Sequence, residues 1–194
     1  MSIPPYSYIV SDQISAGDYP GKQHPKFFWR IFVSKFYEIL AFIKHPSKGY
    51  FGPTKRLNTL IEAGTNSFID LTEEEELPPY SHSIKLINSN SKLSKTIKYK
   101  RIPIKDLSTP AKNKMEEILN YIDQEITTGN KIYIHCLRGL GRTGIVVGCY
   151  FVRHGYTGKE AINKIASLRK DLPNNWLQSP QTKTQKEFVI NWGK

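Results

Sequence analysis

The sequence predicts an α/β domain whose mostly parallel central sheet is flanked by helices. Three observations carry this. Apolar residues recur at helical spacing from Met115 to Ile126. An apolar strand, Lys131 to His135, follows at once. A glycine-rich turn then feeds that strand into another apolar helix. Strands that alternate with helices build parallel sheets, because each crossover must return over a face of the sheet. With 194 residues the chain suits one domain, 1–194, and is long enough for a proper core. Within it, 1–53 reads as an N-terminal extension with an aromatic helical segment, and 54–194 as the core of the domain.

Taken in order, residues 1–23 are rich in Pro, Gly, Tyr and Ser, and Gly17-Asp18-Tyr19-Pro20-Gly21 is a turn signal. In 26–44, Phe28, Phe32, Phe36 and Leu40 recur every four residues, which predicts a helix docked on the domain by its aromatic stripe. Lys26, Arg30, Lys35 and Lys44 are interleaved with that stripe, and a reading ranked behind the first lays 26–44 on an anionic membrane surface. A short helix is expected over 54–63, ending at Gly64, then a strand over Ser67 to Leu71. The acidic run Glu73 to Glu76 reads as a solvated loop, with salt bridges to the basic stretch 92–101 as the other reading, and Ile97 to Ile104 reads as a second strand. Thr109 is placed to cap the next helix, with Pro110 at its first position, one apolar face from Met115 to Ile126, and Gly129 as its stop. After the turn 136–142, a helix is expected over 143–153, ended by Gly155. Thr157 caps a further helix that has Ala161, Ile162, Ile165 and Leu168 on one face, and a last helix covers 181–192.

Composition narrows the function classes. Two cysteines, Cys136 and Cys149, make no disulfide framework, and no zinc spacing surrounds them. The N-terminus lacks a basic stretch followed by an apolar run, and nowhere do 18 apolar residues follow one another, so a reduced cytoplasmic setting is expected. The net charge of +11 suits nucleic acid, an anionic membrane or a phosphorylated substrate. Lys85 to Lys105 holds seven Lys/Arg and no Asp or Glu, yet no nucleic-acid motif accompanies the charge, so a nucleic-acid partner is not expected.

The stretch that carries chemistry is His135-Cys136-Leu137-Arg138-Gly139-Leu140-Gly141-Arg142-Thr143, set between a strand and a helix. A loop feeding a helix N-terminus turns several backbone N–H groups into one concavity, and the helix dipole adds positive potential there, which makes a site the size of a phosphate. Gly139 and Gly141 permit the backbone angles such a loop needs. Thiols at helix N-termini beside cations have pKa values of roughly 3.5–7.5, which makes them standing nucleophiles. Arg142, six residues after Cys136, can fold back over the same anion and grip two oxygens with its planar fork. Thr143 can donate to the Cys136 sulfur as it leaves, and His135 is expected to point away and orient the loop. Six fixed positions match by chance on the order of once in 10⁸ windows.

His-Cys-x5-Arg-Thr resembles the signature of the cysteine-based protein tyrosine and dual-specificity phosphatases. The turn at 14–21 and the strand Phe68-Ile69-Asp70-Leu71-Thr72 are similar to bacterial members of the dual-specificity-like group. The resemblance implies a phosphocysteine formed at Cys136, held by Arg142 and the amides of Leu137, Arg138, Gly139, Leu140 and Gly141, and then hydrolysed. It implies no cofactor and no metal.

Displacing an alkoxide or phenoxide from phosphorus needs a general acid, worth typically 10²–10⁴-fold. The family supplies an Asp upstream of the cysteine. Ile102-Pro103-Ile104-Lys105-Asp106 followed by Pro110 resembles that loop, and Asp106 lies 30 residues before Cys136. Asp70, ending a strand, and Asp123, within a helix, are its rivals. Gln181 and Gln185 resemble the glutamine loop of tyrosine phosphatases, where Gln185 would position the attacking water; the reading ranked ahead of that is a helix-start residue on a solvated face. Arg138 reaches a second anionic group on the substrate or stays a rim charge. The expected function is hydrolysis of phosphotyrosine, with phosphoserine and phosphothreonine as further candidates, in a phosphorylated protein. A phosphoinositide or inositol-phosphate phosphatase is the alternative, and a catalytically inactive phosphate-binding module is the rival from another class.

Overall fold

The computed structural model describes residues 3–21, 55–77, 79–90 and 95–193. The aromatic segment 26–44, with both of its readings, lies outside the described residues. In chain order the described elements are β1 (Ser7–Ser11), β2 (Ile14–Gly17), α1 (Lys55–Glu62), β3 (Ser67–Asp70), α2 (Ser81–Asn90), β4 (Lys98–Arg101), α3 (Lys112–Thr127), β5 (Ile132–His135), α4 (Gly141–Arg153), α5 (Gly158–Leu168) and α6 (Lys183–Ile190). The strands form one sheet in the order β1-β2-β5-β3-β4. β2, β5, β3 and β4 run parallel, and β1 closes one edge as the antiparallel arm of a hairpin with β2. This is the single α/β domain with a mostly parallel sheet that the sequence predicts.

Strand side chains alternate between two layers, as the period of two requires. Ile69, Leu71, Ile132 and Ile134 face one layer, where Met115, Ile118 and Ile122 of α3, Ile145 and Cys149 of α4, Ile165 of α5 and Val189 of α6 complete the main core. Phe68 and Tyr133 face the other, against Leu57 and Leu60 of α1, Ile84 of α2, and Tyr80. β3 and β5 are buried on both faces, which is why β5 reads as an unbroken apolar run.

Four expectations need correcting. Residues 7–17, assigned to an extension, supply two strands of the sheet. Tyr8 and Val10 are buried while Ile9 points out, an alternation too short to stand out beside the turn residues around it. α2 was not foreseen, because Ser, His and Asn are weak helix formers and its apolar face is thin. Thr109 does not cap α3: the helix begins at Lys112 after Ala111, which makes no side-chain cap. The preceding residues are held in a separate turn, with Ser108 N–H donating to Lys105 O at 3.2 Å. The helix after the glycine turn starts two residues early, at Gly141. Thr157 does cap α5, in a capping box with Glu160.

The register decides where the site lies. Gly17 pairs with His135, His135 with Asp70, and Asp70 with Arg101, so the four parallel strands end in one row. Their following loops meet beyond that row, the usual place for a ligand in an open α/β sheet. By alternation Asp70 and His135 both face the Tyr80 layer. There Asp70 Oδ1 accepts from Thr72 N–H at 2.9 Å and Thr72 Oγ1–H at 2.7 Å. Its Oδ2 accepts from Tyr99 OH at 2.7 Å and from Arg101 Nη2 at 2.9 Å. His135 Nε2 is 2.6 Å from the Tyr80 hydroxyl, and its Nδ1 is 3.9 Å from Asp70 Oδ1. Asp70 is therefore committed to structural pairing.

Burial pushes the Asp70 carboxyl up, but the His135 charge and the Thr72 and Tyr99 hydrogen bonds outweigh it and hold it below its usual range. Burial holds His135 below the ordinary histidine value, against the pull of Asp70. Both groups bind fewer protons folded than unfolded, so acid favours the unfolded chain. Stability is expected to be flat near neutral pH. It should fall as pH drops below about 6.5, the unfolded histidine value, and fall again in the carboxylate range near about 4. Denaturant titrations against pH check this, and His135→Gln is expected to remove the first decline; an unchanged first decline in that variant would show another group responsible.

Candidate active site

Between β5 and α4 the chain makes a loop, Cys136 to Leu140, that ends as the first turn of α4. Two neighbours mould it. Gly139 has φ +68, and a Cβ there would lie 2.4 Å from the Gly17 carbonyl carbon, so only glycine fits beneath the turn after β2. From the other side, Ser179 Oγ–H donates to Leu140 O at 2.8 Å. Among the described residues, no backbone N–H from Leu137 to Arg142 donates to a protein acceptor. A row of unspent amides at a helix N-terminus is an anion cradle. Cys136 is 3% exposed at its start, and Thr143, fully buried, has an Oγ1 without a partner. Leu137 is half-buried, Leu140 buried, and Arg138 exposed with no partner among the described residues.

Arg142 is 1% exposed, and its guanidinium is held from three sides. Nη1 and Nη2 donate to the two carboxylate oxygens of Glu76 at 2.5 and 2.6 Å. Nη1 also donates to Ile104 O at 3.2 Å, and Nη2 stands 3.1 Å from Asp106 Oδ1. Glu76 takes the end of the fork and leaves the side edge, where Nε is buried without a partner. Burial opposes the charge on Arg142, but the Glu76 hydrogen bonds and then the charge at Cys136 outweigh it, so the guanidinium stays firmly protonated. On Glu76, burial raises the carboxyl pKa, and the Arg142 hydrogen bonds and charge bring it below the usual range.

The acidic run after β3 is therefore only partly a solvated loop: Glu74 and Glu75 are exposed, and Glu73 and Glu76 are not. Glu76 grips Arg142, and Glu73 Oε2 accepts from Asp106 N–H at 3.2 Å, tying this run to the loop after β4. The sequence missed Glu76 because a run of four acids reads as surface; the signal available was its place just past a strand that ends beside the glycine loop. Tyr80, which braces His135 from the far face of the sheet, was missed as well.

The other candidates fall as follows. Asp106 is more than half exposed at the mouth, beside Arg142. Asp123 ion-pairs with Arg153 on the outer surface of α3. Gln185 is fully buried, with Oε1 accepting from Gln181 and Thr182 N–H and Nε2 donating to Ser108 O. Cys149 sits in the core face of α4, where burial pushes its thiol up and the side chain packs as a small apolar group. The arrangement thus brings a thiol, an amide cradle, a fixed guanidinium and an exposed carboxyl to neighbouring loops at one end of the sheet.

The model of the DSP-PTPase phosphatases of polymorphic toxin systems, Tc-R-P, covers residues 48–156. The chain belongs to the cysteine-based protein tyrosine and dual-specificity phosphatases. It is 30% identical over 149 residues to the probable protein tyrosine phosphatase type IVA B of Dictyostelium discoideum, covering 68% of this chain and 89% of that one. The fold is shared with kinase associated phosphatase, at a TM-score of 0.64 and 18% identity, over 97% of this chain and 93% of that one. It is shared also with PTPMT1, solved in complex with PI(5)P, at a TM-score of 0.61 and 14% identity, over 96% and 94%.

Glu76→Gln keeps the shape but removes the charge that fixes the fork. This phosphatase is expected to lose about tenfold or more in kcat/KM for an aryl phosphate, about 1.4 kcal/mol per decade of transition-state stabilisation. Steady-state kinetics checks it, with orthovanadate inhibition as a second reading of anion affinity; unchanged values in both would show that Arg142 holds its place without Glu76.

Proposed function

We propose that the protein hydrolyses phosphotyrosine in phosphorylated proteins through a phosphocysteine intermediate, with phosphoserine and phosphothreonine as further candidates. One observation carries the reading. Asp106 Oδ1 lies 3.1 Å from Arg142 Nη2, in the first turn of the helix that the Cys136 loop feeds, so a carboxyl and a cation meet beside the amide cradle.

The chemistry runs in two displacements. The phosphate takes the amide cradle and the side edge of Arg142, through the unpartnered Nε and through Nη2. Cys136 Sγ attacks phosphorus as a thiolate; the S–P bond forms and the P–O bond to the leaving group breaks. Protonated Asp106 gives its proton to the leaving oxygen. Water then attacks the phosphocysteine, Asp106 takes a proton from it, the S–P bond breaks, and Thr143 Oγ1–H donates to the departing sulfur. His135, buried and bonded to Tyr80, fixes the start of the loop and takes no proton. A nucleophile of this kind works only while reduced, which favours a reducing compartment.

A second reading, hydrolysis of a phosphoinositide or inositol phosphate, is supported by Arg138, which stands exposed on the loop without a partner among the described residues, by Lys105, exposed beside Asp106, and by the basic stretch that leads to it. Phosphotyrosine ranks first because the glycine loop, Leu137 to Gly141, holds no lysine for a second phosphate. A catalytically inactive phosphate-binding module ranks behind both, since Cys136, Arg142 and Asp106 are all present at the mouth.

Cys136→Ser is expected to abolish turnover of an aryl phosphate and retain vanadate binding. Asp106→Asn should slow phosphotyrosine hydrolysis by roughly 10²-fold or more, within the range of a general acid. Profiling the wild-type protein and Arg138→Ala against phosphopeptides and inositol lipids separates the substrate readings. A preference for the lipids that Arg138→Ala removes would overturn the first in favour of the second.

A further inference from the structure

Gln185 stands at the meeting point of three elements. It occupies the third position of α6, whose cap is Thr182. Its Oε1 accepts from Gln181 N–H and Thr182 N–H, both at 3.1 Å, which completes the capping box. Its Nε2 reaches away from its own helix and donates to Ser108 O at 3.2 Å, two residues past Asp106. The same amide lies against the glycine loop: a Cβ on Gly141 would stand 2.9 Å from Nε2 and 3.0 Å from Oε1. Gln185 is 0% exposed, so every contact it makes is with the protein.

The acid loop needs such a hold. Asp106 is exposed, and Leu107, 55% exposed, sits at φ +57, in the left-handed region that leucine avoids. Such a conformation persists only where the surroundings over-determine it. Within the loop, Ser108 N–H and Oγ–H both turn back on Lys105 O. From outside, Glu73 holds Asp106 N–H on one side and Gln185 holds Ser108 O on the other.

We propose that Gln185 is a positioning residue for proton transfer: its side-chain amide fixes the acid loop against the glycine loop, so that the Asp106 carboxyl reaches the leaving oxygen. This rests on Asp106 as the general acid, and it gives Gln185 a task different from holding the attacking water.

Gln185→Glu isolates the contact. Glutamate at this position keeps both acceptors of the capping box and loses the N–H that holds Ser108 O. In this variant kcat/KM for phosphotyrosine, a basic leaving group, is expected to fall roughly tenfold or more, while an aryl phosphate with an acidic leaving group changes by less than about twofold, because it needs no proton. In an Asp106→Asn background the second change should add nothing, since the acid it positions is already gone. Equal losses on both substrates, or full additivity with Asp106→Asn, would overturn the proposal. So would a slower steady state with a larger burst on the activated substrate, which would assign Gln185 to the water step. Hydrogen exchange gives an arm that needs no turnover: amides of 105–109 should exchange faster in Gln185→Glu while those of α6 stay protected. Unchanged exchange in 105–109 refutes the tether, whereas a wild-type protein inert toward every aryl phosphate refutes the phosphatase reading instead.

Discussion

Arg142 carries a permanent positive charge at 1% exposure, and a charge so placed must be surrounded by acceptors or it destabilises the fold. The loops of the site are arranged around that requirement. Glu76 supplies a bidentate carboxylate, the strongest kind of side-chain hydrogen bond. The Ile104 carbonyl and Asp106 supply the rest. The carboxylate takes the end of the fork, which leaves the side edge, with Nε unpartnered, to meet a ligand. A guanidinium fixed before its ligand arrives does not reorganise during the reaction, and this is the form in which electrostatic stabilisation is most effective.

The sheet makes this economical. Four parallel strands end level, so the loops after β2, β5, β3 and β4 reach the same space with few residues each. The turn after β2 lies under Gly139, the run after β3 brings Glu76 and Glu73, the loop after β4 brings Asp106, and the loop after β5 brings Cys136. Beneath them Asp70 and His135 are paired across β3 and β5 and satisfied from the Tyr80 layer. The floor of the site is thus a closed polar network, while its mouth keeps an unspent amide row and an open guanidinium edge. Polar groups are satisfied where the loop must be rigid and left free where a phosphate can satisfy them.

Much of this was legible in the sequence for a plain reason. The glycine loop is local: its thiol, glycines and arginine lie within seven residues, and the strand before it and helix after it announce themselves by apolar composition. Asp106 was singled out by the likeness of Ile102-Pro103-Ile104-Lys105-Asp106 to the family's acid loop, and the fold sets it beside Arg142. Glu76 was not, since its role depends on β3 and β5 lying side by side, a pairing that no local pattern encodes. The β1–β2 hairpin was lost among turn residues. Gln185 shows the intermediate case. In the sequence it reads as a helix start on a solvated face; the helix start holds, but the residue is fully buried, because α6 packs against the loop that holds Asp106 and turns the amide nitrogen toward it.

The central claim is that Cys136 itself carries the phosphoryl group between the two displacements. Acid quench of the wild-type enzyme during turnover of an aryl phosphate with an acidic leaving group, followed by peptide mass mapping, tests it directly. A phosphoryl increment is expected on the peptide that contains Cys136, appearing within the first turnover and discharged when substrate runs out. Steady turnover with that peptide unmodified throughout, or with the increment on another residue, would contradict it.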